Sequence, residues 1–97
     1  MKTQITVLGA GSWGTAVALL LAEKGLDVLL WAHGKTTFHE LSSKRVNTPY
    51  LPGIPLSPKI TPVHSLKEAT SGATDVLLSV PSHTIRGVVS EMKSFLT

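Results

Sequence analysis

Three glycines near the amino terminus form the pattern with the clearest chemical use in this sequence. Gly9, Gly11 and Gly14 have the spacing G-x-G-x-x-G, after a short apolar run and before a helical pattern. In that context the spacing is the fingerprint of a turn that binds the pyrophosphate of a dinucleotide. The first glycine permits the tight turn, the second lets the backbone approach the phosphates, and the third lets the helix pack closely on the strand. The N–H groups of the helix's first turn, with the positive end of the helix dipole, then face the anion.

The segments around the glycines predict a βαβ unit. Residues 4–8 form a short strand pattern, and Ser12 can cap the helix that follows. The apolar face of this helix has i, i+3, i+4 spacing and consists of Trp13, Ala16, Val17, Leu20 and Leu21. Lys24-Gly25 ends the helix, and residues 28–31 form a second apolar strand pattern. The two strands are therefore predicted to be parallel neighbours.

The later chain continues the alternation of strands and helices. Residues 35–46 predict a helix with a thin apolar stripe at Phe38, Leu41 and Val46. Five of the six prolines lie within residues 49–62, which excludes a helix and favours a rigid extended segment, with a short strand near residues 59–63. Ser65 and Glu68 form a capping box for a short helix that ends at Thr70. Residues 75–80 predict a strand, and Ser82 is predicted to cap a last helix. The buried face of that helix is predicted to carry Ile85, Val88, Val89, Met92 and Leu96.

This order predicts an α/β fold, the amino-terminal portion of a doubly wound, Rossmann-like parallel sheet. Such a sheet binds its ligand beyond the carboxyl ends of its strands. If the strand at residues 75–80 lies on the far side of the first strand, the loops after both strands flank one crevice. We expect residues 1–97 to be one incomplete dinucleotide-binding domain, with a helical substrate domain beyond this chain.

Composition excludes several other classes of protein. The net charge of +3 is mild, and no basic cluster alternates with aromatic residues, so a nucleic-acid partner is not predicted. The absence of cysteine excludes disulfides and thiolate metal sites. His39 and His64 have no metal-ligand spacing and are expected to face solvent. No apolar run has the length of a membrane span, and no signal peptide precedes the first strand, so a cytoplasmic location is expected.

The residues after the second strand bear on the choice of nucleotide. NAD-preferring domains of this kind carry an acid there, which binds the ribose 2′-hydroxyl. Residues 31–36 contain no acid, whereas His33 and Lys35 suit a 2′-phosphate. This favours NADP(H), with NAD(H) as the alternative. Gly34-Lys35-Thr36 imitates the end of a P-loop, but Leu29 stands where that motif needs its first glycine, which excludes ATP or GTP.

Four motifs resemble the bacterial NAD(P)-dependent glycerol-3-phosphate dehydrogenases, and together they cover essentially the whole chain. They are residues 5–16, Leu30-Trp31, Asn47-x-x-Tyr50-Leu51-Pro52-Gly53 and Val80-Pro81-Ser82. The third motif is the most specific, and it accounts for part of the proline-rich segment. The resemblance implies reduction of dihydroxyacetone phosphate to sn-glycerol 3-phosphate, which supplies phospholipid synthesis.

The resemblance also implies roles for particular residues. Ser12 and Trp13 would contact the cofactor's phosphates, and His33 would hold the adenosine 2′-phosphate end. Pro81 and Ser82 would lie beside the nicotinamide ribose. For Asn47 and Tyr50 two hypotheses stay open: they border the substrate site, or they lock the extended segment.

No catalytic residue is assigned within the chain. The family's lysines and arginine, which protonate the ketone oxygen and hold the substrate phosphate, are expected beyond Thr97. His83 is an alternative acid, although a polar residue in a helix's first turn is the ordinary explanation. We therefore expect these 97 residues alone to be inactive. The alternatives are another Rossmann dehydrogenase, of the hydroxyacyl or sugar-acid type, and a non-catalytic dinucleotide-sensing module. A homodimer of the full-length protein is left open.

Overall fold

A parallel sheet with helices on both faces forms the frame of the molecule. The computed structural model describes residues 4–32, 34–47, 51–70, 75–80 and 82–92. The elements are β1 (Gln4–Leu8), α1 (Ser12–Glu23), β2 (Asp27–Trp31), α2 (Lys35–Lys44), β3 (Val46–Asn47), β4 (Leu51–Pro55), β5 (Ile60–Val63), α3 (Leu66–Thr70), β6 (Asp75–Leu78) and α4 (Ser82–Met92). The parallel strands are ordered β5-β2-β1-β6. The predicted α/β architecture is confirmed, and β6 lies on the opposite side of β1 from β2.

The core lies on both faces of the central strand β1. Val7 and Leu8 are fully buried and point to opposite faces, as alternate residues of a strand do. Val7 packs in a cluster with residues of α1 and α2, including Ala18 and Leu41. Leu8 packs in a second cluster with residues of α3 and α4, including Val88. The sheet is thus covered on both sides, which is the doubly wound arrangement.

The buried face of α1 differs from the apolar stripe predicted from sequence. The buried residues are Gly14, Thr15, Ala18 and Ala22. Trp13 and Leu20, which belong to the predicted stripe, are 65% and 54% exposed. Because α1 is apolar on nearly all sides, periodicity did not single out one face. The small residues spaced four apart let the helix lie close to the sheet, so they are buried instead of the large ones.

Both ends of α1 follow from local backbone geometry. Gly11 is the residue that precedes the helix and makes no side-chain cap, so the prediction that Ser12 caps the helix is wrong: Ser12 is its first residue. At the other end Gly25 has φ of +92°. Gly25 N donates to Ala22 O at 3.0 Å, and Leu26 N donates to Leu21 O at 3.2 Å. These two bonds form a Schellman motif, so Gly25 ends the helix as predicted.

The chain after α2 turns into a small second sheet. The helix ends at Lys44, two residues before the predicted end, and Arg45 adopts a left-handed conformation with φ of +57°. Val46 belongs to β3, which pairs antiparallel with the proline-containing β4. The Arg45 guanidinium donates to Ser57 O at 2.7 Å and to Ile60 O at 2.9 Å, and so fastens this hairpin to the start of β5. The extended segment is therefore a two-stranded excursion outside the main sheet.

The remaining elements match their predictions except at three points, of which the first is that β6 ends at Leu78, two residues before the predicted end. β5 forms within the predicted residues 59–63, at the edge of the parallel sheet, where Pro62 is tolerated. Glu68 N donates to Ser65 Oγ at 3.3 Å, which confirms Ser65 as the cap of α3. Ser82, however, is the first residue of α4 and not its cap. On that helix Val88 is buried but Ile85 is 36% exposed, so the predicted face is only partly covered. Leu96 and the side chain of Met92 lie outside the described part of the chain.

None of the helices in the described ranges combines the length and the apolar composition that crossing a bilayer requires.

Candidate functional site

The glycine turn lies where the carboxyl ends of three neighbouring strands meet. Gly9 follows β1 directly, and its N–H donates to the carbonyl of Trp31 at the end of β2, at 3.0 Å. On the other side, Ser79 N after β6 donates to Leu8 O at 2.8 Å. Ligands of doubly wound sheets bind at this edge, at the point where the winding reverses. The loops after β1 and β6 therefore begin side by side at this edge, which is the arrangement that the predicted crevice between them requires.

The chain's own packing requires glycine at two of the three motif positions. Gly9 has φ of +118°, which residues with a side chain rarely adopt, and a Cβ there would collide with the carbonyl oxygen of Ser79. A Cβ at Gly14 would collide with the carbonyl oxygen of Gly9 and lie 3.0 Å from Ser79 Oγ. These two glycines thus let β1, β6 and α1 approach one another closely.

Gly11 differs, because nothing in the described part of the chain requires a glycine there. Its φ of −82° and ψ of −168° are open to any residue. A Cβ on Gly11 would meet no atom within 4 Å. The backbone at the start of α1 therefore faces open space, which a side chain at position 11 would partly fill.

Asn47 lies behind the turn and holds it by two hydrogen bonds. The side chain is fully buried. Its Nδ2 donates to Ala10 O and to Thr15 Oγ1, both at 2.7 Å. Of the two hypotheses for Asn47, this placement favours a structural role over contact with the substrate. Asn47 stabilises the glycine turn as well as the extended segment.

The other predicted site residues lie at the starts of three helices or outside the described residues. Ser12 and Trp13 are exposed as the first two residues of α1, and Lys35 is exposed as the first residue of α2. Ser82 begins α4, but its side chain is not described. The positions outside the described residues are His33, Tyr50 and Pro81, and their roles stay predictions.

The two histidines whose side chains the structure describes, His39 and His64, group around Phe38 on the surface. The ring of His64 lies 5.5 Å from that of Phe38, and its Nδ1 is 3.2 Å from the carbonyl oxygen of Ala32. The His39 ring lies 5.9 Å from Phe38. Both residues are exposed, as predicted. Within the ranges that the structure describes, no three histidine or carboxylate side chains are grouped so as to hold a metal ion.

Sequence reasoning did not assign Ser79 or Thr15 to the site. Ser79 directly follows β6 at the edge where ligands bind, and that position is the signal that could have identified it. Thr15 contributes the hydroxyl that accepts from Asn47, 32 residues away. No local pattern indicates such a contact, since it exists only once β3 is folded against α1.

The parallel sheet, the winding on both faces and the glycine turn at the strand ends define a Rossmann-like α/β domain. A family model described as the NAD-dependent glycerol-3-phosphate dehydrogenase N-terminus matches residues 4–97. The chain therefore belongs to the NAD-dependent glycerol-3-phosphate dehydrogenase family, of which it represents the amino-terminal region.

Individual relatives agree with this family. The chain is 47% identical over 95 residues to a glycerol-3-phosphate dehydrogenase [NAD(P)+] of Bacillus mycoides, covering 98% of this chain and 28% of that protein. It is 46% identical over 96 residues to the enzyme of the same name from Geobacter sulfurreducens, covering 99% and 29%. The crystal structure of glycerol-3-phosphate dehydrogenase from Coxiella burnetii superposes with a TM-score of 0.95 at 41% identity, over 99% of this chain and 30% of that one. The chain thus spans less than a third of the length of these relatives.

Proposed function

We propose that this chain is the cofactor-binding region of an NAD(P)-dependent glycerol-3-phosphate dehydrogenase. The whole protein would interconvert dihydroxyacetone phosphate and sn-glycerol 3-phosphate, a product that enters phospholipid synthesis. Support comes from the family to which the chain belongs and from the names of its relatives. When bound, the reduced nicotinamide supplies the hydride for this reaction.

The observation that carries the proposal is the unexplained glycine at position 11. The protein's own packing explains why positions 9 and 14 are glycine. Gly11, in contrast, has open space in front of it and an ordinary backbone conformation. A dinucleotide's pyrophosphate fits this opening, because it needs close approach to backbone N–H groups at a helix start. Ser12 and Trp13, exposed at the start of α1, would contact the same phosphates.

We further propose that the adenosine end binds at the start of α2. Lys35 supplies an exposed positive charge there, beside the positive end of the helix dipole. No acid lies between the end of β2 and Glu40. These features favour the extra phosphate of NADP(H), while NAD(H) lacks a group for Lys35 to bind. His33 would join Lys35 at this end, and Pro81 and Ser82 would lie beside the nicotinamide ribose.

Replacing Lys35 with alanine is expected to weaken NADPH binding roughly threefold to tenfold, because an exposed charge pair in water has a modest free energy. NADH binding should change less than twofold, on the order of experimental error. The measurement is quenching of protein fluorescence during titration with each reduced cofactor at low and high salt. Salt should weaken the NADPH complex of the unmodified protein more than that of the variant.

Lys44→Ala is the matched control for Lys35→Ala. Lys44 is the last residue of α2, 68% exposed, and its Nζ is 3.4 Å from Glu40 Oε1, so the variant removes the same charge at the other end of the helix. It should bind both cofactors as the unmodified protein does. Tighter binding of NADH than of NADPH by the unmodified protein would overturn the NADP(H) preference.

Residues outside this chain would complete the chemistry. The ketone oxygen needs a proton as hydride arrives, and the substrate phosphate needs cations. We assign no catalytic residue within these 97 residues and expect the catalytic lysine beyond Thr97. Of the two residues predicted near the substrate, Tyr50 keeps that place as a proposal, whereas Asn47 is fully buried and holds the glycine turn.

The decisive assay uses the whole protein that contains this chain. With dihydroxyacetone phosphate and NADPH or NADH, absorbance at the nicotinamide band should fall, with sn-glycerol 3-phosphate as product. Turnover of a hydroxyacyl or sugar-acid substrate instead would indicate a different dehydrogenase. Cofactor binding without turnover of any of these substrates would indicate a sensing module.

We also propose that the whole protein acts in the cytoplasm on small molecules, without a nucleic-acid partner. The mild net charge of +3 and the lack of basic clusters that alternate with aromatic residues argue against a nucleic-acid partner. A homodimer of the whole protein is compatible with these features, and sedimentation of the purified protein tests it.

A further inference from the structure

Asn47 connects two parts of the glycine turn that are remote from it in sequence. Its Nδ2 reaches Ala10 O, 37 positions away, and Thr15 Oγ1, 32 positions away. Ala10 lies between the first two motif glycines, and Thr15 lies in the first turn of α1. One buried amide thus ties the turn, the helix and β3 together.

The bond to Ala10 sets the direction of the next N–H group. The carbonyl of Ala10 and the N–H of Gly11 belong to one planar trans peptide, in which the two groups point in opposite directions. Because Asn47 holds the carbonyl inward at 2.7 Å, the Gly11 N–H is turned outward. Beside this N–H, a Cβ on Gly11 would meet no residue other than its chain neighbours within 4 Å, so this part of the turn is open.

Stability alone does not explain an asparagine at this position. Asn47 Oδ1 is buried, and no group of the described residues forms a hydrogen bond with it. A buried acceptor without a partner destabilises a fold, and an apolar side chain of similar volume would avoid that penalty. The amide cannot simply be flipped to pair this oxygen, because the flip would place it against the carbonyl oxygen of Ala10. The useful part of the side chain is therefore the Nδ2 donor.

We propose that Asn47 is a positioning residue for the cofactor's phosphates, a role that rests on the proposed function. Its amide fixes the Ala10–Gly11 peptide so that the Gly11 N–H faces the anion before the anion arrives. Asn47 does not touch the cofactor. Without the Asn47 amide, the Ala10–Gly11 peptide can rotate. Cofactor binding must then order this peptide, and the entropy lost in doing so weakens the affinity.

The test compares Asn47→Leu with Thr6→Val in the whole protein. Thr6 is a buried polar residue of β1 whose Oγ1 donates at 2.5 Å to the carbonyl oxygen of Ala69, a residue of α3 and not of the glycine turn. Asn47→Leu should raise the Kd and KM for NADPH about tenfold or more, with kcat at saturating cofactor changed less than about threefold. Thr6→Val should lower the melting temperature by a similar amount while NADPH affinity stays within about twofold.

Thr15 provides a second pair of variants in case Asn47→Leu does not fold. Thr15→Val removes the hydroxyl that accepts from Asn47, whereas Thr15→Ser keeps it. We expect Thr15→Val to raise the Kd for NADPH and Thr15→Ser to retain the unmodified affinity.

Two results would overturn the positioning role. One is an unchanged Kd in Asn47→Leu or, if that variant does not fold, in Thr15→Val. The other is an equal rise in Kd in Thr6→Val, because that would trace the effect to general loss of stability. If the unmodified protein binds neither NADPH nor NADH, the proposed function fails first. If it binds them and the variants bind equally well, the positioning role alone fails.

Discussion

Replacing Gly11 with alanine is expected to abolish most NADPH binding while leaving the fold intact. The backbone at Gly11 has φ of −82° and ψ of −168°, which alanine also adopts, and the new Cβ would meet no atom of the protein within 4 Å. Alanine is less favourable than glycine at the position before a helix, which lowers stability. Alanine also reduces the conformational entropy of the unfolded chain more than glycine does, which raises stability. These effects oppose each other, so the free energy of unfolding should change by less than about 1 kcal/mol.

The loss of binding in Gly11→Ala follows from the same open space. The Cβ would occupy the position from which the phosphates approach the backbone N–H groups. Loss of one charge-assisted hydrogen bond is worth about 1.5–3 kcal/mol, which weakens binding roughly tenfold to a hundredfold. Fluorescence titration with NADPH, together with thermal unfolding of the whole protein without cofactor, measures both effects.

Gly87→Ala is the control for this experiment. Gly87 lies within α4, and a Cβ there also meets open space. Alanine in a helix interior should raise stability by about 0.5–1 kcal/mol and leave NADPH affinity unchanged. If Gly11→Ala binds NADPH as tightly as Gly87→Ala, then Gly11 is not the point of phosphate approach.

Gly14→Ala is expected to destabilise the fold severely, by about 3 kcal/mol or more. The added Cβ would collide with the carbonyl oxygen of Gly9, which belongs to the backbone and cannot rotate away. Relief therefore requires α1 to move off the sheet, and its buried small residues would lose their packing. Overpacking of a core usually lowers the free energy of unfolding by about 1–3 kcal/mol. A collision with backbone, which cannot move aside, is expected to reach or exceed the top of that range.

Thermal unfolding distinguishes this effect from that of Gly11→Ala. The melting temperature of Gly14→Ala should fall by several degrees, whereas that of Gly11→Ala should barely change. Adding Ser79→Ala to Gly14→Ala should restore little, because it removes only Ser79 Oγ at 3.0 Å and leaves the collision with Gly9. Native-like melting of Gly14→Ala would show that α1 is not held as closely to β1 as the structure places it.

One motif thus contains glycines that are required for different physical reasons. Gly9 is needed for its left-handed backbone and for the nearby Ser79 carbonyl, and Gly14 for the close approach of α1. Gly11 alone is left for a ligand. Spacing identifies all three together, but only the neighbouring atoms assign a reason to each.

Local signals predicted the elements well. The end of α1 at Gly25, the cap at Ser65 and the strand within residues 59–63 each depend on a few consecutive residues. Those signals act within one turn or one strand, so they can be seen in the sequence alone.

Packing determined what local signals left ambiguous. The prediction of which face of α1 is buried was wrong because large apolar residues occur on most sides of this helix. Burial of the small residues instead depends on how close the helix comes to the sheet. The pairing of β3 with β4 was not predicted, because prolines in a segment are evidence against a strand and are tolerated mainly in edge strands.

The sequence by itself determined the order of strands and helices, the glycine turn and the resemblance to a dehydrogenase family. These depend on spacing over short stretches of chain. The tertiary structure alone decided that Gly11 faces open space, that Ser79 lies against Gly9, and that Asn47 holds Ala10. Such contacts join residues far apart in the chain, and they exist only because the parallel sheet brings the ends of separate strands to one edge.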